Sequence, residues 1–108
     1  MSGQKPAIYS IYEDNPAVSL AIDAFVIRLA ENVDRLQDLQ SEASWDELGA
    51  LADELGKQAF ELGFPALVES CSAIAGVAIR GEPQAVEIEL IELTALSHRI
   101  RLGHRGAT

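Results

Sequence analysis

The sequence predicts an all-α fold, an antiparallel four-helix bundle with a short extra helix at the N-terminus. Three observations predict it. Apolar residues recur at helical spacing through four long segments. Each segment opens on a proline or a capping-type residue, and the last three close on glycine. The connections between them are short, so successive helices must reverse direction and point their apolar stripes at a common axis.

The first long helix is expected from about Pro16 to Leu39. Asn15 places a capping side chain before a proline at the first helical position, and Ile22, Phe25, Val26, Leu29, Val33 and Leu36 supply the apolar stripe. The second is expected over 44–62. Ser44-Trp45-Asp46-Glu47 reads as a capping box, with Leu48, Leu51, Leu55, Ala59 and Leu62 inward and Gly63 as the stop. Pro65 opens the third, over about 65–80, with Leu67, Cys71, Ile74 and Ala78 on one face and Gly81 at its end. The fourth runs from Pro83 to about Leu102, before Gly103. Its start, "VEIELIEL", alternates like a strand, but the proline before it and "TALSHRI" after it favour a helix. Ahead of Pro16, Ile8, Ile11 and Tyr12 are expected to form a short helix capping the bundle.

Composition narrows the function. The 108 residues fit one domain, and 48% hydrophobic content is enough for a real core. A net charge of −9 argues against nucleic acid and against anionic membrane surfaces, and favours solubility and a basic partner. One cysteine, Cys71, excludes an internal disulfide and points to a reducing compartment. "MSGQKPAIYS" lacks the apolar core of a signal peptide, and the longest apolar stretch, Ala66 to Ile79, is too short to span a bilayer. A cytoplasmic protein is the expectation.

The second helix carries an anomaly. Glu-Leu-Gly occurs three times at intervals of seven residues, in "ELGALADELGKQAFELG". A glycine inside a helix costs about 1 kcal/mol relative to alanine. Gly63 belongs to the stop signal, but Gly49 and Gly56 do not. At about 100° per residue they lie to one side of Leu48, Leu55 and Leu62, with Asp53 beside them and Asp46, Lys57 and Phe60 close by. Two explanations are open. Another molecule approaches bare backbone here, or a neighbouring helix crowds this face. Phe60 likewise either anchors an interface or folds down onto a neighbour.

"NPAVSLAIDAFVIRLAENVDRL", "GFPALVESC" and "RGEPQAVEIEL", arranged around this helix, resemble the histidine phosphotransfer (HPt) domain family over about Ile11 to Arg101. The resemblance implies a four-helix bundle with an additional N-terminal helix. It places "SWDELGALADELGKQAFELG" at the family's active-site helix, which typically reads His-x-Leu-Lys-Gly and ends on Leu-Gly or Tyr-Gly. Counting back from Leu62-Gly63 puts the histidine position at Asp53. Leu55 matches the motif leucine, Gly56 stands where lysine is usual, Lys57 where glycine is usual, and Phe60 where a small residue is common.

The scaffold thus matches while the reactive residue does not. Phosphotransfer needs an imidazole nitrogen, and an exposed carboxylate does not replace it. No catalysis is expected, and no cofactor. Asp46 and Asp53, seven residues apart, make a poor magnesium site, so no metal is expected either. His98 is expected late in the last helix and His104 in a short basic tail; both lie outside the family's context and read as solvated helix-end histidines, favourable to the helix dipole. Cys71 reads as a small core residue, and Trp45 as a staple on the start of its helix. Glu-x-x-His, Cys-x-x-Cys and phosphate-loop motifs are absent from the sequence.

The resemblance then implies a non-catalytic docking module for a response-regulator receiver domain, or for another signalling protein, with Asp46, Gly49, Asp53, Gly56, Lys57 and Phe60 as the face. The alternative is a structural or assembly protein that self-associates, as a homodimer meeting at the glycine stripe, or that holds a partner unrelated to phosphorelays.

Overall fold

The computed structural model describes residues 6–105. Four helices account for most of them: α1 (Ser19–Ser41), α2 (Trp45–Leu62), α3 (Pro65–Ile79) and α4 (Pro83–Arg105). No strand occurs among the described residues. Each helix packs on two others, α1 and α3 each against both α2 and α4, and α2 packs most extensively on α3. The backbones of the diagonal pairs, α1 with α3 and α2 with α4, do not approach one another.

The ring closes on one core. Leu29, Leu36, Leu48, Leu55, Leu67, Ile74 and Leu93 are among its fully buried side chains, each contributing about 1.5–3 kcal/mol of transfer free energy. Phe25 of α1 stacks on Phe64 at 5.7 Å between ring centroids, tying α1 to the α2–α3 corner. In α4 the strand-like run is resolved in favour of the helical period. Val86, Leu90 and Leu93 are buried, whereas Ile88 and Ile91 are 66% and 64% exposed. A strand would have put Ile88 on the same face as Val86 and Leu90.

Several expected details differ. The capping helix before Pro16 is not formed. Residues 6–10 have no regular structure and 11–14 are turns. The backbone donors of this segment are committed elsewhere, Ile8 N–H to the Arg99 carbonyl at 3.0 Å and Ile11 N–H to the Gly63 carbonyl at 2.9 Å. Ser10 Oγ takes the Tyr12 N–H at 2.9 Å and donates to the Leu62 carbonyl. That local side-chain bond competes with a helical turn. The result is a strap laid across the ends of α2 and α4.

The helix ends shift for related reasons. Asn15 Oδ1 accepts the Ala17 N–H at 2.9 Å as expected of a cap, but it opens a tight turn, and the regular ladder starts only at the bond from Ile22 N–H to the Val18 carbonyl. Ser44 makes no side-chain capping bond, so the capping box is not formed; its ψ of 71° departs from the extended backbone a capping residue takes. Helix α4 runs through Gly103 instead of stopping there. A Cβ on Gly103 would lie 2.8 Å from the Ile8 carbonyl oxygen, so this glycine is the seat of the strap. Gly63 does end α2, in the left-handed conformation at φ 83°. Leu51 and Leu62 are half-buried, and Ala52 takes an inward position beside Leu48, Leu55 and Ala59. Among the described residues, no helix is long and apolar enough to cross a membrane.

Candidate functional site

With Leu48, Ala52, Leu55 and Ala59 buried in the core, the rotation of α2 is set, and Gly49 and Gly56 turn toward α3. A Cβ built on Gly49 would stand 3.6 Å from Ala78 Cβ, and one on Gly56 only 3.2 Å from Cys71 Cβ. The glycine stripe is therefore occupied by a helix of the same chain. Small residues on both sides, Gly49 and Gly56 against Cys71, Ala75 and Ala78, let α2 and α3 draw together.

Above this seam the two helices leave an open groove of about 400 Å³. Its α2 side carries Asp53, Gly56, Lys57, Phe60 and Glu61, and its α3 side Val68, Cys71, Ser72 and Ala75. Asp53 points outward and is 66% exposed. Its carboxylate lies 3.6 Å from Lys57 Nζ, whose side chain is 70% exposed. An acid one turn before a lysine on a solvated face gains about 0.3–0.5 kcal/mol. Phe60 is 74% exposed and does not fold down onto a neighbour. Cys71 is inaccessible at the groove floor, and burial pushes its thiol pKa from 9.0 up to about 12. It stays protonated and unreactive at neutral pH.

The structure brings together four of the six expected face residues, Asp53, Gly56, Lys57 and Phe60. Gly49 is half-buried under Ala78. Asp46 is exposed at the start of α2, in a separate shallow depression with Ser44, Trp45 and Glu47. Trp45 packs against the core, as a staple does. The α3 wall was not anticipated, although Val68, Ser72 and Ala75 fall at helical spacing beside the inward stripe of Leu67, Cys71, Ile74 and Ala78. That flanking row of small and apolar residues was the signal available for it.

Both histidines belong to α4, which does not adjoin α2. His98 is exposed. His104 lies in the final turn, not in a tail, with Nε2 3.3 Å from Asp23 Oδ1 on α1. Among the described residues, no group of three or more His, Cys, Asp or Glu side chains is placed to hold a metal ion. What the α2–α3 face offers chemically is a shallow apolar seat, one protruding aromatic ring and a predominantly acidic rim. Comparison of the chain with protein-family models, with curated proteins and with solved structures gave no match.

Proposed function

We propose that this chain is a degenerate HPt-like module, an antiparallel four-helix bundle that docks on a response-regulator receiver domain without transferring phosphate. The observation that carries the reading is the setting of Asp53. The resemblance reserves this position for the reactive imidazole, and the side chain there is outward and solvated at the lip of a groove, beside a protruding Phe60. Short connections at 42–44, 63–64 and 80–82, together with the closed ring of helix neighbours, support the antiparallel arrangement.

Carboxylate in place of imidazole removes the nucleophile and keeps the surface. Asp53 has no adjoining histidine, since His98 and His104 are on the diagonal helix. A module of this kind would act by occupancy, covering the receiver's reactive face or holding the receiver in one state. A cytoplasmic location follows from the same reading.

The test is titration calorimetry against the receiver domains encoded in the source genome, with Asp53→Arg/Phe60→Ala as the face variant. At least one receiver binds the native chain one-to-one and fails to bind the variant. A receiver carrying labelled phosphate keeps its label on mixing with the native chain. Asp53→His, by contrast, takes up acid-labile label. Binding of no receiver, or label on the native chain, overturns the proposal.

A further inference from the structure

The geometry points to a basic, amphipathic helix as the element that the α2–α3 groove receives. An apolar side chain of that helix would pack on Phe60 over Gly56, and its lysines or arginines would meet the carboxylates around the groove. This rests on the reading of the face as a docking surface and adds the chemistry of its occupant.

Two independent features meet here. The first is apolar. The groove is floored by Gly56, Cys71 and Ala75, flanked by Val68, and ends at a phenylalanine ring left in water. An exposed aromatic beside a cleft of this size suits an anchor residue in helix-in-groove recognition. The second is charge. Helix α2 carries five carboxylates, Asp46, Glu47, Asp53, Glu54 and Glu61, against one ammonium, Lys57. Lys57 is already committed to Asp53. On α3, Glu69 is exposed next to Val68, and the first cation, Arg80, lies beyond the helix at its C-cap. Of these carboxylates Asp53 and Glu61 line the groove and Glu69 neighbours its wall residue Val68; no cation bridges to Glu61 or Glu69 among the described residues.

The complement of that surface is apolar in the middle and positive at the sides. Like-charge juxtaposition excludes an acidic helix, and a second copy of this acidic chain is disfavoured for the same reason. A helix lies along the seam because two parallel ridges with a trough between them match the ridge of one amphipathic face.

The probe is a synthetic helical peptide of about 18 residues, long enough to span the groove, with leucines on one face and lysines on the other. Its control has glutamates for the lysines. Binding is read by fluorescence anisotropy at about 50 and about 300 mM salt, and located by amide shifts in a ¹⁵N-labelled sample.

The lysine peptide is expected to bind, with shifts concentrated in 53–61 and 68–75. Phe60→Ala weakens it about tenfold at both salt concentrations. Glu61→Lys/Glu69→Lys weakens it about tenfold at low salt, less at high salt, and admits the glutamate peptide. All three substitutions are at exposed positions, and unchanged melting curves establish that the variants are folded. Equal binding of the two peptides to the native chain, shifts centred on Ile88 and Ile91 of α4, or indifference to Phe60→Ala would each overturn the inference. So would self-association that buries Phe60 with no peptide bound. A receiver that binds while the lysine peptide does not removes this inference and leaves the docking proposal standing. The reverse result removes the receiver and keeps the groove chemistry.

Discussion

Gly49→Ala and Gly56→Ala are the same chemical change one heptad apart, and they should have different effects. Replacing glycine by alanine in a helix interior gains about 1 kcal/mol, chiefly because the unfolded chain has less freedom to lose. At Gly49 that gain is realised. The new methyl meets Ala78 Cβ at 3.6 Å and the Ala75 carbonyl oxygen at 3.9 Å, which is ordinary contact, so nothing has to move. A chain of 108 residues has an unfolding entropy of roughly 0.2 kcal/mol per kelvin, so 1 kcal/mol raises Tm by about 4 °C. At Gly56 the methyl would lie 3.2 Å from Cys71 Cβ. Neither atom is at the end of a flexible side chain, so α2 and α3 must part by a few tenths of an ångström to admit it. Overpacking of that kind costs about 1–3 kcal/mol, which cancels or exceeds the gain. Thermal and urea unfolding followed by far-ultraviolet circular dichroism measure both variants. Gly49→Ala should be the more stable of the two by at least about 1 kcal/mol. Equal stabilisation of both, or a loss at Gly49, would refute the account of the stripe as a packing seam.

Three further outcomes follow from the same structure. Ser70 Oγ is buried on α3 without a hydrogen-bond partner among the described residues, so Ser70→Ala should raise stability by about 1–2 kcal/mol in urea unfolding. Ala43, between α1 and α2, sits at φ 56°, a left-handed conformation that strains a side chain, so Ala43→Gly should stabilise by about 0.5–1 kcal/mol in the same assay. Cys71 gives an alkaline signature. Its thiol titrates at about 12 when folded against 9.0 in the open chain, so its contribution is intact below pH 9 and is lost as pH climbs from 9 toward 12. Over that window the native protein should lose up to about 1.4 kcal/mol per pH unit more than Cys71→Ala does. An aromatic disulfide reagent should label the thiol only at the rate of unfolding.

The interiors of the helices were legible in the sequence, and their ends were less so. Every apolar residue assigned inward on α1 is buried, and so is every one on α3, because a 3.6-residue period repeated over several turns leaves one solution for which face is wet. Helix ends depend on individual bonds. Ser44 has the composition of a capping box and lacks its dihedral. Gly103 has the appearance of a stop and acts as a seat for residues 8 and 9, nearly a hundred positions earlier in the chain. The strap has the sequence pattern of a short helix, and its partners, Gly63 and Arg99, are brought near only by the folded ring. At the site, the outward direction of Asp53 and Lys57 followed from helical geometry, which left open whether Phe60 folds down onto a neighbour; its 74% exposure decides that. The opposing wall of Val68, Ser72 and Ala75 required knowing that α2 meets α3, which periodicity does not tell.

The glycines are the most unusual feature of α2 in sequence, yet they are the weaker part of the functional case. Once α3 is in place, Gly56 has a reason to lack a side chain that owes nothing to any partner, since Cys71 leaves it no room. Gly49 also faces α3, at ordinary contact distance from Ala78, and not an outside partner. On α2, what folding leaves without a role is Phe60. A phenylalanine on a solvated helix face has poor helix propensity and, at 74% exposure, contributes little to the core. A polar residue there would serve the fold better by about the few tenths of a kcal/mol that separate it from phenylalanine in a helix. Phe60 stands one turn beyond Gly56, at the end of the groove that the close approach of α2 and α3 creates. The packing seam therefore supplies the floor, and Phe60, with the carboxylates around it, is where a partner would have to be read. An experiment aimed at function should remove that ring before it touches either glycine.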